Sequence, residues 1–112
     1  MTNDTIEIYE GSANIFADLG LPDADAHLLK AQIMSEVFRL SNGQGLTQAK
    51  AGKLLGISQP EVSRMFKGNF REYSVERLMG FLTAFKQDVE IVSKAHRADG
   101  SRGNITFRHA AE

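Results

Sequence analysis

The sequence predicts a mainly α domain of four to five helices that ends in a short C-terminal β-hairpin. Three observations predict it. Between about residues 24 and 86, apolar side chains recur at three- and four-residue steps, the period of a helix with one buried face. Thr47, Ser58 and Ser74 each stand just ahead of such a run, where a side-chain oxygen can cap the first free N–H groups. Beyond residue 87 the period shortens to two, as in a half-exposed strand.

The elements follow in order. Residues 1–20 mix scattered apolar side chains with acids and glycines, which suits a flexible or partly ordered arm; a short strand around Ile6 and Ile8 is the alternative. Pro22-Asp23 reads as a helix start with Asp23 as the cap. Leu29, Ile33, Val37 and Leu40 then form a stripe, widened by Met34 and Phe38. Ser41-Asn42-Gly43-Gln44-Gly45 ends this helix, with glycine free to turn left-handed. That glycine pair is no phosphate loop, because no Lys-Ser/Thr follows it. Thr47 caps a helix running to about Leu55, and Ser58 caps the next, with Glu61 completing a capping box and Pro60 in the first turn. Ser74 caps a helix carrying Val75, Leu78, Leu82 and Phe85. The helical domain thus spans 21–86. In the tail, 87–112, Asp88–Val92 and Asn104–Arg108 are the two expected strands, joined by a turn-rich connector.

A chain of 112 residues is one domain's worth, and its 42% hydrophobic and 24% charged content suits a soluble globular core. With no cysteine it has no disulfide, thiolate metal site or thiol nucleophile. His27, His96 and His109 never fall at ligand spacing, so no metal and no cofactor are expected. No signal segment and no apolar run of membrane length are visible, so the expected location is cytoplasmic, away from membranes. Net charge is −1, but it is unevenly spread: residues 1–43 hold seven acids and two bases, and 44–112 hold eleven bases and seven acids. Screening makes the near field decisive, so a local basic face can bind phosphate although the total charge is near zero.

Residues 46–68 carry the functional signal. Two short helices crossing steeply through a tight turn need a small residue at the crossing, and Gly52 supplies it. The turn needs a residue that tolerates positive φ, and Gly56 does. Ala51, Leu55, Ile57, Val62 and Met65 are spaced to lock the pair together. This is a helix-turn-helix at about 47–67. Gln59, Pro60, Ser63, Arg64 and Lys67 remain for the outer face of its second helix. Glutamine can read adenine and arginine guanine, each with about 1–3 kcal/mol of discrimination. Gln48 is placed for a backbone phosphate.

Leu46-Thr47-Gln48, Gly56-Ile57-Ser58-Gln59, Val62-Ser63-Arg64 and Lys67-Gly68 together resemble the XRE (Cro/C1-type) helix-turn-helix family. The first helix departs from the family pattern at Ala51, usually leucine, and Gly52, usually alanine. The resemblance implies a Cro/C1-like domain in which Gln48 anchors the DNA backbone while Ser58, Gln59, Ser63 and Arg64 face the major groove. The candidate DNA-contacting residues are Thr47, Gln48, Ser58, Gln59, Pro60, Ser63, Arg64 and Lys67. Residues 11–23, 70–79 and 87–92 further resemble a compact subfamily of HigA-type antitoxins, paired with RelE/ParE-like toxins that cleave messenger RNA. That resemblance implies a repressor of its own operon that binds a toxin; the alternative is a free-standing, phage-like repressor.

Several of these residues also have structural readings. Ser58 and Glu61 serve as caps, Phe66 belongs to the core beside Met65, and Lys50, Lys53 and Arg71 suit either phosphate contact or ordinary surface. Asp18, Asp23 and Asp25 have no nucleophile or base spaced to work with them, so an enzyme is not expected. One recognition helix covers few base pairs, so a homodimer on a palindromic operator is expected, with the strands at 89–92 and 105–107 as its interface.

Overall fold

The computed structural model describes residues 23–96 and 100–110. The proposed arm at 1–20 and its alternative strand lie outside them. Four helices make up the described fold: α1 (Asp23–Gly43), α2 (Gln48–Leu55), α3 (Gln59–Phe66) and α4 (Val75–Ala84). α1 packs against α4, α2 crosses α3, and α4 also touches α2.

α1 buries Leu29, Ile33, Met34 and Val37 as the four-residue step requires. Three details differ from the sequence expectation. Asp23 itself lies within the helix and so is not the cap before it. The stripe continues through Ser41, 1% exposed, because 33, 37 and 41 keep the step that Leu40 breaks. Phe38 is 43% exposed, and its ring meets Phe66 edge-on with centroids 5.1 Å apart. At the end of α1 it is Gly45, at φ 66°, that turns left-handed, while the Leu46 N–H donates to the Ser41 carbonyl at 3.1 Å.

α4 closes the core with Val75, Leu78, Phe81 and Leu82, and Phe85 follows at its C-cap. The Ser74 side chain accepts from the Arg77 N–H at 3.0 Å. Between α3 and α4, Phe70 is buried and stacks on His27, with centroids 5.2 Å apart and planes 11° from parallel. Lys30 Nζ donates to the Arg71 carbonyl at 2.7 Å, tying the same loop to α1.

The expected C-terminal β-hairpin does not form: no strand occurs among the described residues. A hairpin needs two free edges and a turn that sets their register. Eleven residues separate Val92 from Asn104, too many for a tight turn. The second segment is also already engaged by α1. The Phe107 N–H donates to Gln32 Oε1 at 3.0 Å, Phe107 packs against the core, and His109 Nδ1 lies 3.1 Å from Glu36 Oε2. Alternation here reflects one residue docking on a helix. In the first segment Val89 also rests on the core, but Ile91 and Val92 are 63% and 72% exposed.

Among the described glycines, Gly52, at the crossing of α2 and α3, is the one whose surroundings leave no room for a side chain. Gly52 is buried, and a Cβ at this position would fall 2.6 Å from the Ile57 carbonyl oxygen and 3.4 Å from Val62 Cγ2. The Gly56 and Ile57 N–H groups both donate to the Gly52 carbonyl, at 2.8 and 3.0 Å, and Gly56 sits at φ 78°. The glycine that departs from the family pattern is therefore what lets this turn close. Gly52→Ala must push the helices apart against a rigid backbone oxygen. We expect it to lower stability by about 1–3 kcal/mol, despite alanine's better helix propensity. Chemical denaturation of the wild type and the variant measures this directly.

Candidate nucleic-acid interface

α3 is a short helix with firmly held ends. Ser58 Oγ accepts from the Glu61 N–H at 3.2 Å, and Glu61 Oε1 accepts from the Ser58 N–H at 3.2 Å, so the expected capping box is present. Pro60 lies in the first turn, where no N–H is required. At the other end Lys67 is the C-cap, and Gly68 at φ 105° leads the chain away. Val62 and Met65 are buried, 0% and 1% exposed, which fixes the rotation of the helix. The opposite side carries Gln59, Pro60, Ser63 and Arg64, with Lys67 just beyond; all are exposed except Ser63, which is half-buried. The structure thus gathers all five on one surface, as their spacing implies.

The residues of α2 join this surface. Thr47 is exposed, and its Oγ1 accepts from the Lys50 N–H at 3.1 Å, so its cap role is occupied while its hydroxyl proton can still be donated. Gln48 is half-buried, and its Oε1 accepts from Gln59 Nε2 at 2.9 Å. This link between the helices was not foreseen in the sequence, although the two glutamines stand eleven residues apart across the turn. It leaves two amide hydrogens on Gln48 for a phosphate. Gln59 keeps one amide hydrogen and its carbonyl oxygen, the pair that a bidentate contact to adenine uses.

The electrostatics suit an anionic partner. Residues 46–68 hold Lys50, Lys53, Arg64 and Lys67 against the single acid Glu61. Lys50 and Lys53 are exposed on α2, and Arg71 is exposed in the loop after α3. Glu61 is occupied by its neighbours: besides the cap, its Oε2 accepts from the Tyr73 hydroxyl at 3.1 Å. The Ser58 N–H chiefly, with the Tyr73 hydroxyl next, holds this carboxyl below its ordinary range. The lone acid therefore serves the inside of the motif. Tyr73 in turn lies edge-on to Phe81, 5.7 Å between centroids, beneath the Arg77 guanidinium at 5.5 Å. No spacing rule in the sequence pointed to Tyr73, which reaches Glu61 only because the loop folds back. Phe66 is half-buried against the core, as expected.

A capped second helix, locked across a glycine crossing and showing polar and basic side chains outward, defines a helix-turn-helix protein. A family model described as "Helix-turn-helix domain" matches residues 15–94. A solved structure named as an XRE family transcriptional regulator is 35% identical, with a TM-score of 0.74 over 80% of this chain and 100% of that one. The chain belongs to the helix-turn-helix family of XRE type. No curated protein matches it.

The Gln48–Gln59 bond makes a specific energetic prediction. In a double-mutant cycle of Gln48→Ala and Gln59→Ala, the losses in DNA affinity should fall short of additivity by about 0.5–3 kcal/mol, because each glutamine orients the other. Fluorescence anisotropy on one fixed duplex provides the four constants.

Proposed function

We propose that the chain is a DNA-binding transcriptional repressor that lays α3 in the major groove of a palindromic operator. The observation that carries this reading is the outer face of α3. Gln59, Ser63, Arg64 and Lys67 stand together there, while the apolar side of the same helix is committed to the core. On this reading Gln59, Ser63 and Arg64 read base edges; Gln48 and Lys67 set the helix on the phosphates, with Thr47, Ser58 and Pro60 shaping the approach. Two copies on half-sites about 34–36 Å apart supply the selectivity that one helix lacks. The protein acts by binding and not as an enzyme.

The two basic residues should separate in experiment. Arg64→Ala should cost about 1–3 kcal/mol on the preferred duplex and relax its base preference. Lys67→Ala should weaken preferred and random duplexes alike and lower the salt slope by about one. Titrations at several salt concentrations on both duplexes test this. Equal affinity of the wild type for its own promoter and for random DNA would overturn the reading.

We further propose that the protein is an antitoxin that represses its own operon and neutralises a RelE/ParE-like toxin. Two features support this over a free-standing repressor. Residues 11–23, 70–79 and 87–92 resemble the HigA-type subfamily, which a phage-like repressor has no need to share. Residues 1–25 carry six acids and no base, which complements the basic surface a ribonuclease presents to RNA. Co-expression with the adjacent gene's product should restore growth that this product alone arrests. A harmless neighbour, or one that this protein neither binds nor counteracts, removes the antitoxin role and leaves the DNA-binding reading intact.

A further inference from the structure

Glu61 is the only acid in residues 46–68, and it stands in the first turn of α3. Arg64 follows three positions on, and side chains at that spacing are neighbours on a helix surface. A carboxylate free to turn would therefore pair with the Arg64 guanidinium, whose charge already acts on it. Yet no hydrogen bond or ion pair joins the Arg64 side chain to another described residue. Both carboxylate oxygens are directed elsewhere. Oε1 accepts from the Ser58 N–H at 3.2 Å, and Oε2 accepts from the Tyr73 hydroxyl at 3.1 Å. A capping box needs only the first of these. The second comes from outside the motif, twelve positions along the chain.

The Tyr73 ring is held from several sides. It packs against the core, lies edge-on to Phe81 with 5.7 Å between centroids, and carries the Arg77 guanidinium 5.5 Å from its centre. The Tyr73 N–H donates to the Phe70 carbonyl at 3.1 Å, which fixes the backbone beneath it. A phenylalanine ring would meet the same packing. What tyrosine adds is a hydroxyl, which needs a partner when partly buried and finds it in Glu61. Burial first, and the Glu61 carboxylate next, push this hydroxyl above its ordinary value, so it remains a donor at neutral pH.

We infer that Tyr73 is a positioning residue for the DNA-reading face: its hydroxyl holds the Glu61 carboxylate away from Arg64 and leaves that guanidinium free for a base edge. Resting on the proposed meeting of α3 with DNA, this role adds a residue from the loop before α4 to the apparatus that reads bases. It acts through Glu61 and touches no nucleotide itself. The competing contact is an i, i+3 ion pair at the surface, so the effect should be modest and specific to Arg64.

Tyr73→Phe keeps the ring and removes only the hydroxyl, and helical circular dichroism of the full chain checks that the variant is folded. Y73F should bind the preferred duplex about two- to fivefold more weakly and discriminate less against a random duplex, as a surface ion pair competes for Arg64. In an E61Q background, where glutamine can still complete the cap but carries no charge, Y73F should have no further effect. The same should hold in an R64A background, where nothing remains to be captured. A hydroxyl with a purely structural role would weaken binding by the same factor in all three. A second measurement needs no DNA: the Arg64 Nε–H magnetic-resonance signal of the free protein should shift in Y73F and return to its wild-type position in Y73F/E61Q. An unmoved Arg64 signal in folded Y73F, or an equal loss of affinity with and without E61Q, would overturn the role of Tyr73. Failure of R64A alone to weaken binding would instead overturn base reading by Arg64, an outcome distinguishable from these.

Discussion

The approach of the Gly52 backbone to the Ile57 carbonyl is the contact on which the rest of the surface depends. With 2.6 Å between that oxygen and the place where a Cβ would be, only glycine lets α2 and α3 cross this closely. The crossing brings Val62 against the inner side of α2 and thereby sets the rotation of α3 about its axis. That rotation decides which side chains face outward. A helix turned by one position would present Val62 or Met65 to the solvent and bury Ser63 or Arg64 instead. The polar face is thus a consequence of a packing contact on the opposite side of the helix.

Around this crossing, polar groups are spent in a consistent order. Thr47, Ser58 and Ser74 satisfy the N–H groups at the helix starts, and the Glu61 carboxylate is shared between its cap and the Tyr73 hydroxyl. An ionised acid engaged in this way contributes stability above the ordinary carboxylate range, and loses it as the pH falls through its lowered folded value. The Glu61 hydrogen bonds thus lie within the motif, while Arg64 and Lys67 stand exposed on the outer face. Glu36 plays a comparable part on α1: it is 7% exposed, binds Arg39 through both oxygens at 2.9 and 2.7 Å, and holds His109 of the tail.

Much of this was legible in the sequence because it rests on local rules. The caps at Thr47, Ser58 and Ser74, the crossing and turn glycines, and the buried side of α3 each follow from residue type and short spacing, whereas Asp23, expected as a cap, lies inside α1. The sequence was weaker where a residue's partner lies far along the chain. Alternation in Asn104–Arg108 looked like a strand, yet Phe107 and His109 are claimed by Gln32 and Glu36 of α1. The Tyr73 bond to Glu61 and the Gln48 bond to Gln59 depend on loop geometry that no periodicity encodes. At Phe38 a wide apolar stripe pointed inward, but the helix turns this ring outward to meet Phe66.

The central claim is that the outer face of α3 meets DNA, and mapping that face by magnetic resonance tests it most directly. The isotope-labelled chain would be titrated with a duplex selected from a random library and with a scrambled duplex of the same composition. The account predicts that the selected duplex shifts a contiguous set of signals at Thr47, Gln48, Ser58, Gln59, Ser63, Arg64 and Lys67. It predicts a weaker, salt-sensitive response to the scrambled duplex. Shifts centred on α1 or on the tail, with α3 unmoved, would contradict it.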